Sequence, residues 1–388
     1  MYAALDADLR GERGSVMSSH APASEGKMIS FALTCAQARF ERPIPPGFIH
    51  LGVAQNIYGV LRELGADPEA IVAEAGLNPR LFDNADNLIA VKALGKLLLH
   101  CVERTNCPHF GILVGQKATL ASLRLVGATM RVCDTVGDAL RTLEAHLRVQ
   151  NRGAVVQLEV RDSVAVLSFS PYEPGGEGAG LIAEGGLATS VQMMRDLCGA
   201  DWAPSEVLIP RRPPANPDPY WACFRAPVRF DQETAALVFP AVMLTRRLPD
   251  ANPALRRAFE QRLSEIERAC PTDLVDELRR MLRTELLTRR SSATAVARQY
   301  AMHRRTLSRH LKAVGTGFRT VADEVRFEVT RQLVADTDIP LAQISAMLDF
   351  SEPAAFTRAF HRWSGATPSD YRAKHKPAQV QGSIPAPA

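Results

Sequence analysis

Apolar positions along the chain change their period several times. From Leu51 they recur every three or four residues: Val53, Ile57, Val60, Leu61 and Leu64 share one face of "GVAQNIYGVLRELG", and Gly65 ends the run. Helical spacing continues to about Arg104 and returns in "TVGDALRTLEAHLRV". In "AVVQLEVRDSVAVLSFS" the period drops to two, which predicts two strands joined as a hairpin at Arg161–Asp162–Ser163. The glycine-rich loop "PGGEGAG" leads into an apolar helix, "LIAEGGLATSVQMMRDLCG". No Lys-Ser/Thr follows its glycines and the strands before it form a hairpin, so it is expected to be a flexible connection, not a phosphate cradle. "SEVLIP" and "APVRFD" predict two more strands, and "NPALRRAFEQRLSEIERA" is helical again. Residues 49–270 therefore read as one α+β domain. Residues 1–48 lack periodicity and are expected to be a mobile leader, and 377–388 a disordered tail.

Beyond Pro271 the pattern is helical throughout, which predicts an all-α domain over 273–376. "TDLVDELRRMLRTELL" puts Leu274, Leu278, Met281 and Leu282 on one face, with Thr272 as its N-cap. "ATAVARQY", capped by Ser292, and "HRRTLSRHLKAVG" are two short helices around a tight turn, a helix-turn-helix over about 293–313. The arrangement occurs twice. Val296, Tyr300 and Met302 correspond to Ile344, Leu348 and Phe350, and Leu307, Arg309 and Leu311 to Phe356, Arg358 and Phe360. The second copy spans about 340–363. Between the copies, at about 318–336, Val321, Val325, Val329 and Leu333 recur every four residues along a single linker helix.

Charge separates the two parts. From Pro271 to Lys376 there are 18 Lys+Arg against 12 Asp+Glu, whereas the rest of the chain is slightly acidic. A basic C-terminal quarter on a near-neutral partner domain points to a polyanion. The seven cysteines have no CxxC spacing and are expected to be reduced thiols. In "HCVERTNCPH", His100, Cys101, Cys107 and His109 lack zinc-site spacing, so neither metal nor cofactor is expected. The most apolar long stretch is broken by Lys92 and Lys96, and Asp6, Asp8 and Glu12 interrupt the start, so neither a membrane span nor a signal peptide is expected; the predicted location is cytoplasmic. GxSxG, HExxH and Walker patterns are missing from the sequence, so the chain is not expected to be an enzyme.

The stretch from about Asp273 to Lys376 resembles the DNA-binding domain of the AraC/XylS family of bacterial transcription regulators. The residues that carry the resemblance are "VARQYAMHRRTLSRHLKAVGTGF" and "IPLAQISAMLDFSEPAAFTRAFHRWSGATPSDYR". Upstream, "CPHFGILVG", "ADWAPSEVLIP" and "FRAPVRFDQETAALVFPAVMLTRRLPDANPAL" are similar to the effector-sensing domain of the arabinose-binding-domain-like branch. The resemblance implies that the second helix of each motif reads DNA. Leu307 and Leu311 then face the first core, and Arg304, Arg305, Ser308, Arg309 and Lys312 face outward. In the second copy Phe356, Phe360 and Trp363 form the core, and Pro353, Ala354, Thr357 and Arg358 face the groove. Arginine suits guanine N7 and O6, Lys312 a phosphate, and Ala354 and the Thr357 methyl the thymine methyl. His303 and Ser351 are expected as caps or phosphate contacts. Where the family commonly has a turn glycine, this chain has Ala301 and Asp349, and His303 replaces the usual capping serine. The first head, richer in basic residues, is expected to supply more of the affinity.

The implied function is a sequence-specific transcription regulator, an activator, whose N-terminal domain binds a small-molecule effector. Candidate pocket positions lie along the strands at 154–170 and the helix at 181–198, where Arg161 and Arg195 are candidates for a carboxylate, but nothing in the sequence marks them as ligating. The implied partners are double-stranded promoter DNA, the effector, a second copy in a homodimer, and RNA polymerase. Two alternatives remain at this point: an architectural DNA-binding protein without an effector, and an enzyme domain fused to a DNA-binding module.

Overall fold

A computed structural model describes residues 44–269, 275, 278–283, 304–348 and 350–375. The expected leader up to residue 43, the boundary near Cys270, the first helix of the first helix-turn-helix with Ala301 and His303, Asp349 and the expected tail lie outside the described residues, as do the side chains of Arg304 and Thr306.

The N-terminal part is α+β. A short pair, β1 (Phe48–His50) and β2 (Leu88–Ala90), runs antiparallel and encloses α1 (Asn56–Glu63) and α2 (Pro68–Glu74). Asp67 caps α2 by accepting from the Glu69 and Ala70 amides. Four helices follow: α3 (Val91–Thr105), α4 (Phe110–Gln116), α5 (Arg124–Arg131) and α6 (Val136–His146). The predicted hairpin is present as β3 (Ala154–Arg161) and β4 (Val164–Pro171), and Asp162 takes the left-handed backbone of its turn. After α7 (Ala179–Cys198) come β5 (Glu206–Leu208), α8 (Asp218–Phe224), β6 (Val228–Arg229) and β7 (Ala235–Pro240). The five-stranded sheet has the order β3-β4-β7-β5-β6 and is antiparallel except for β5 with β6. The helix α9 (Pro253–Ala269) follows it.

Helix α7 packs on the sheet and crosses α4 at backbone distance. A β-carbon on Gly111 would lie 2.2 Å from the Leu181 carbonyl oxygen, and one on Gly115 would lie 2.3 Å from that of Gly185. Any larger residue would push the helices apart. The 172–178 loop is likewise packed, contrary to the flexible connection expected. Gly178, with a left-handed backbone, lies against the Gly95 backbone, and Gly175 lies against the Arg331 side chain.

Among the described residues the C-terminal part is helical, with no strand: α10 (Arg304–Ala313), α11 (Phe318–Asp336), α12 (Leu341–Met347), α13 (Pro353–Ser364) and α14 (Pro368–His375). Helix α11 is the predicted linker and serves two cores. Its Val321, Ala322 and Val325 pack with Leu278, Met281, Leu282, Leu307 and Leu311. Its Leu333 and Val334 pack with Ile339, Ile344, Leu348, Phe356 and Phe360. The valine stripe read from the sequence is thus shared between two small clusters, with the half-buried Val329 on the second.

Candidate functional site

The first reading helix, α10, is sharply two-sided. Leu307 and Leu311 are buried. Arg305, Ser308, Arg309 and Lys312 are exposed, as expected. Gly315 ends the helix in a left-handed conformation, with the Thr316 amide donating to the Leu311 carbonyl (2.9 Å). This face therefore presents three cations and a hydroxyl, which suits phosphates and guanine edges.

The second reading helix, α13, opens with Pro353 in its first turn, where the missing amide is harmless. Phe356, Ala359 and Phe360 are buried, while Pro353, Ala354, Thr357 and Arg358 are exposed. The Thr357 hydroxyl donates to the Pro353 carbonyl (3.0 Å), so its methyl is the more available group. One expectation is corrected, and one, for Ser351, is narrowed to a phosphate contact. Trp363 is half-buried and seals the edge of the cluster against Phe327 (5.8 Å between ring centroids) and Phe350 (6.3 Å), so it is not a core residue. The N-cap position belongs to Glu352, whose side chain makes no capping bond, and Ser351 lies outside the helix.

The C-terminus of the linker helix is held by two arginines from elsewhere. Arg212, between β5 and α8, donates to the Ala335 carbonyl (2.6 Å), the Thr337 carbonyl (2.9 Å) and the Asp338 carboxylate (2.8 Å). Arg372 on α14 donates to the Val334 and Ile339 carbonyls (3.1 and 2.8 Å). Together they satisfy carbonyls that a helix end leaves without partners, and they place positive charge at its negative pole. The neighbouring Arg211 donates to Glu184 on α7 (2.6 Å), and the Tyr220 hydroxyl donates to the same carboxylate (3.2 Å). Glu184 is 1% exposed; burial pushes its carboxyl pKa up against the opposing pull of Arg211. The buried Arg283, in the segment before the first head, donates to the Pro171 carbonyl (2.7 Å) and to that of Tyr172. Burial lowers its pKa to about 9. Arg211 and Arg212 escaped the sequence reading. "RRPP" signals only a charged turn, and the partners lie 27 and more than 120 residues away.

The N-terminal part holds a partly open cavity of about 130 Å³. Its walls include Val156 and Phe169 of the hairpin and Leu181, Gly185, Gly186 and Met193 of α7. The two arginines the sequence offers for a carboxylate are not in its lining. Arg161 is exposed and pairs with Glu159 (2.7 Å). Arg195 is buried and donates to the Trp202 and Cys223 carbonyls (3.1 and 3.0 Å). Among the described residues, no group of three or more His, Cys, Asp or Glu side chains is placed to hold a metal ion, and no helix is long and apolar enough to cross a membrane. His100 pairs with Glu74, and Cys101 is buried, its thiol pushed up to about 12 by burial.

Residues 65–248 match the family model of the arabinose-binding domain of AraC transcription regulator, N-term. Residues 296–374 match that of a helix-turn-helix domain. The chain is 26% identical over 327 residues to the ornithine utilization regulator of Pseudomonas aeruginosa, covering 84% of this chain and 96% of that protein. It is equally 26% identical over 327 residues to the HTH-type transcriptional regulator VirS of Mycobacterium tuberculosis, covering 82% of this chain and 96% of that protein. The crystal structure of the transcriptional regulator CdpR from Pseudomonas aeruginosa aligns with 83% of this chain and 98% of its own, at 22% identity and a TM-score of 0.41.

Proposed function

Because the chain belongs to the AraC/XylS family of transcription regulators, a DNA-binding regulator with an effector-sensing N-terminal domain, we propose the following division of labour. Arg304, Arg305, Ser308, Arg309 and Lys312 enter one major groove of promoter DNA. Pro353, Ala354, Thr357 and Arg358 enter the next. The sensing domain extends over 49–270 and the DNA-binding domain over 273–376. The observation that carries this reading is the single 19-residue helix α11, whose two halves complete the cores under both reading helices. At 1.5 Å per residue it is ~28 Å long, close to the ~34 Å between successive major grooves on one face of DNA.

The effector occupies the cavity against α7. Glu184 on that helix is bonded to Arg211, and the next residue, Arg212, holds the end of α11. A ligand that shifts α7 therefore biases how the second head is presented, which is the differential contact a linked equilibrium requires. The regulator acts in the cytoplasm as a homodimer on repeated sites and activates transcription by contact with RNA polymerase. Footprinting the full chain on DNA from its own promoter region tests this. Discrete protected segments are expected, shifting when effector is added. Uniform protection of any duplex would instead identify an architectural protein.

A further inference from the structure

We infer that the cavity in the sensing domain takes a small, uncharged and mainly apolar molecule carrying a hydrogen-bonding oxygen, with the Gln150 amide and the Thr189 hydroxyl as its polar anchors. This rests on the reading of that cavity as the effector site.

The walls are aliphatic for the most part: Ile57, Leu94, Leu98, Val114, Leu143 and Met193 surround the space. Among the described residues, no Asp, Glu, Lys or Arg lines it. His50, a titratable lining residue, donates from Nδ1 to the Asp86 carbonyl (2.9 Å), and burial together with Arg124 lowers its pKa, so its ring is neutral. An ionised ligand would lose its hydration here and meet no opposite charge, a penalty of several kcal/mol per ion. The lining therefore disfavours zwitterionic amino acids.

Two polar groups point to what the ligand must carry. Gln150 is 8% exposed and Thr189 7% exposed, and both line the cavity. Neither side chain has a hydrogen-bond partner among the described residues. The other polar lining side chains each make at least one bond: Ser190 donates to the Gly186 carbonyl (2.9 Å), Asn151 Oδ1 accepts from the Gly153 amide (2.9 Å), and the Ser122 hydroxyl accepts from the Thr119 amide (3.2 Å). A polar group on the cavity wall without a protein partner is available to a ligand, so the site calls for an oxygen on the ligand. Size sets the rest. A cavity of ~150 Å³ lined by apolar side chains holds a benzene ring, so this one, at about 130 Å³, suits a compact alcohol or ketone of about that size.

The test is thermal unfolding of the full chain with millimolar cyclohexanone, phenol or lysine, in the wild type and in Gln150→Leu. In the wild type cyclohexanone or phenol is expected to raise Tm by about 3 °C, and lysine to leave it unchanged. Gln150→Leu is expected to keep an unliganded Tm equal to or above the wild type, because an apolar group of similar size joins a mainly apolar wall, and to lose the ligand-induced rise. A rise with lysine alone, no rise with either neutral compound, or an equal rise in Gln150→Leu would each overturn the inference. The effector reading fails separately: it is refuted if a compound that raises Tm leaves the promoter footprint unchanged.

Discussion

Asp336 ends the linker helix with a carboxylate at the negative pole, where the macrodipole disfavours it. Burial raises its pKa from 3.8 to about 6, outweighing the nearby Arg211 and Arg212. A carboxyl raised on folding favours the protonated native state. Its stabilising contribution is full below about pH 4 and is lost as pH rises through about 6. Asp336→Asn removes that loss. Urea titrations are expected to show the variant matching the wild type near pH 4 and exceeding it by about 1–3 kcal/mol at pH 7. At this scale the sequence was readable wherever one side chain chooses between core and solvent. Leu307 and Leu311 against Arg305, Ser308 and Arg309 follow from a 3.6-residue period alone. Trp363 was misplaced because its period position is apolar, yet α13 turns it to the rim of a small cluster. The Arg211–Glu184 pair was unreadable, since neither residue's local pattern names the other.

Among elements, the hairpin and the linker helix were legible from periods of two and four. The strands β1 and β2 were not, because three residues cannot show alternation. Strand β7, "AALVFP", is a continuous apolar run that suits a buried strand or a helix equally well by periodicity. The arginines at the end of α11 make a testable element. Arg212→Ala strips partners from the Ala335 and Thr337 carbonyls and the Asp338 carboxylate, which water partly replaces because the side chain is 15% exposed. A loss of about 1–3 kcal/mol is expected. Hydrogen exchange should accelerate over 333–339, while α10, whose core lies at the other end of the linker, keeps its protection. Equal acceleration in α10 would show that the two heads open as one unit, and the capping argument would then be wrong.

Over the whole molecule, charge and duplication were visible in the sequence, and they locate the DNA-binding part without any structure. The cavity was only half visible. The sequence pointed to residues 154–170 and 181–198, which supply Val156, Phe169, Leu181 and Met193. Its polar anchor Gln150 comes from a turn that carries no motif, and its far wall comes from helices nearly a hundred residues earlier. The central claim is that one chain carries two reading heads on a shared helix, each addressing its own groove, with the first contributing more affinity. Hydroxyl-radical footprints of the wild type, Arg305→Ala and Arg358→Ala on one operator at one salt concentration test it most directly. The wild type is expected to protect two segments about one helical turn apart per subunit. Each substitution should weaken a different segment, Arg305→Ala reducing affinity by about 10–100-fold and Arg358→Ala by less. Loss of the same segment in both variants, or equal weakening by both, would contradict the account.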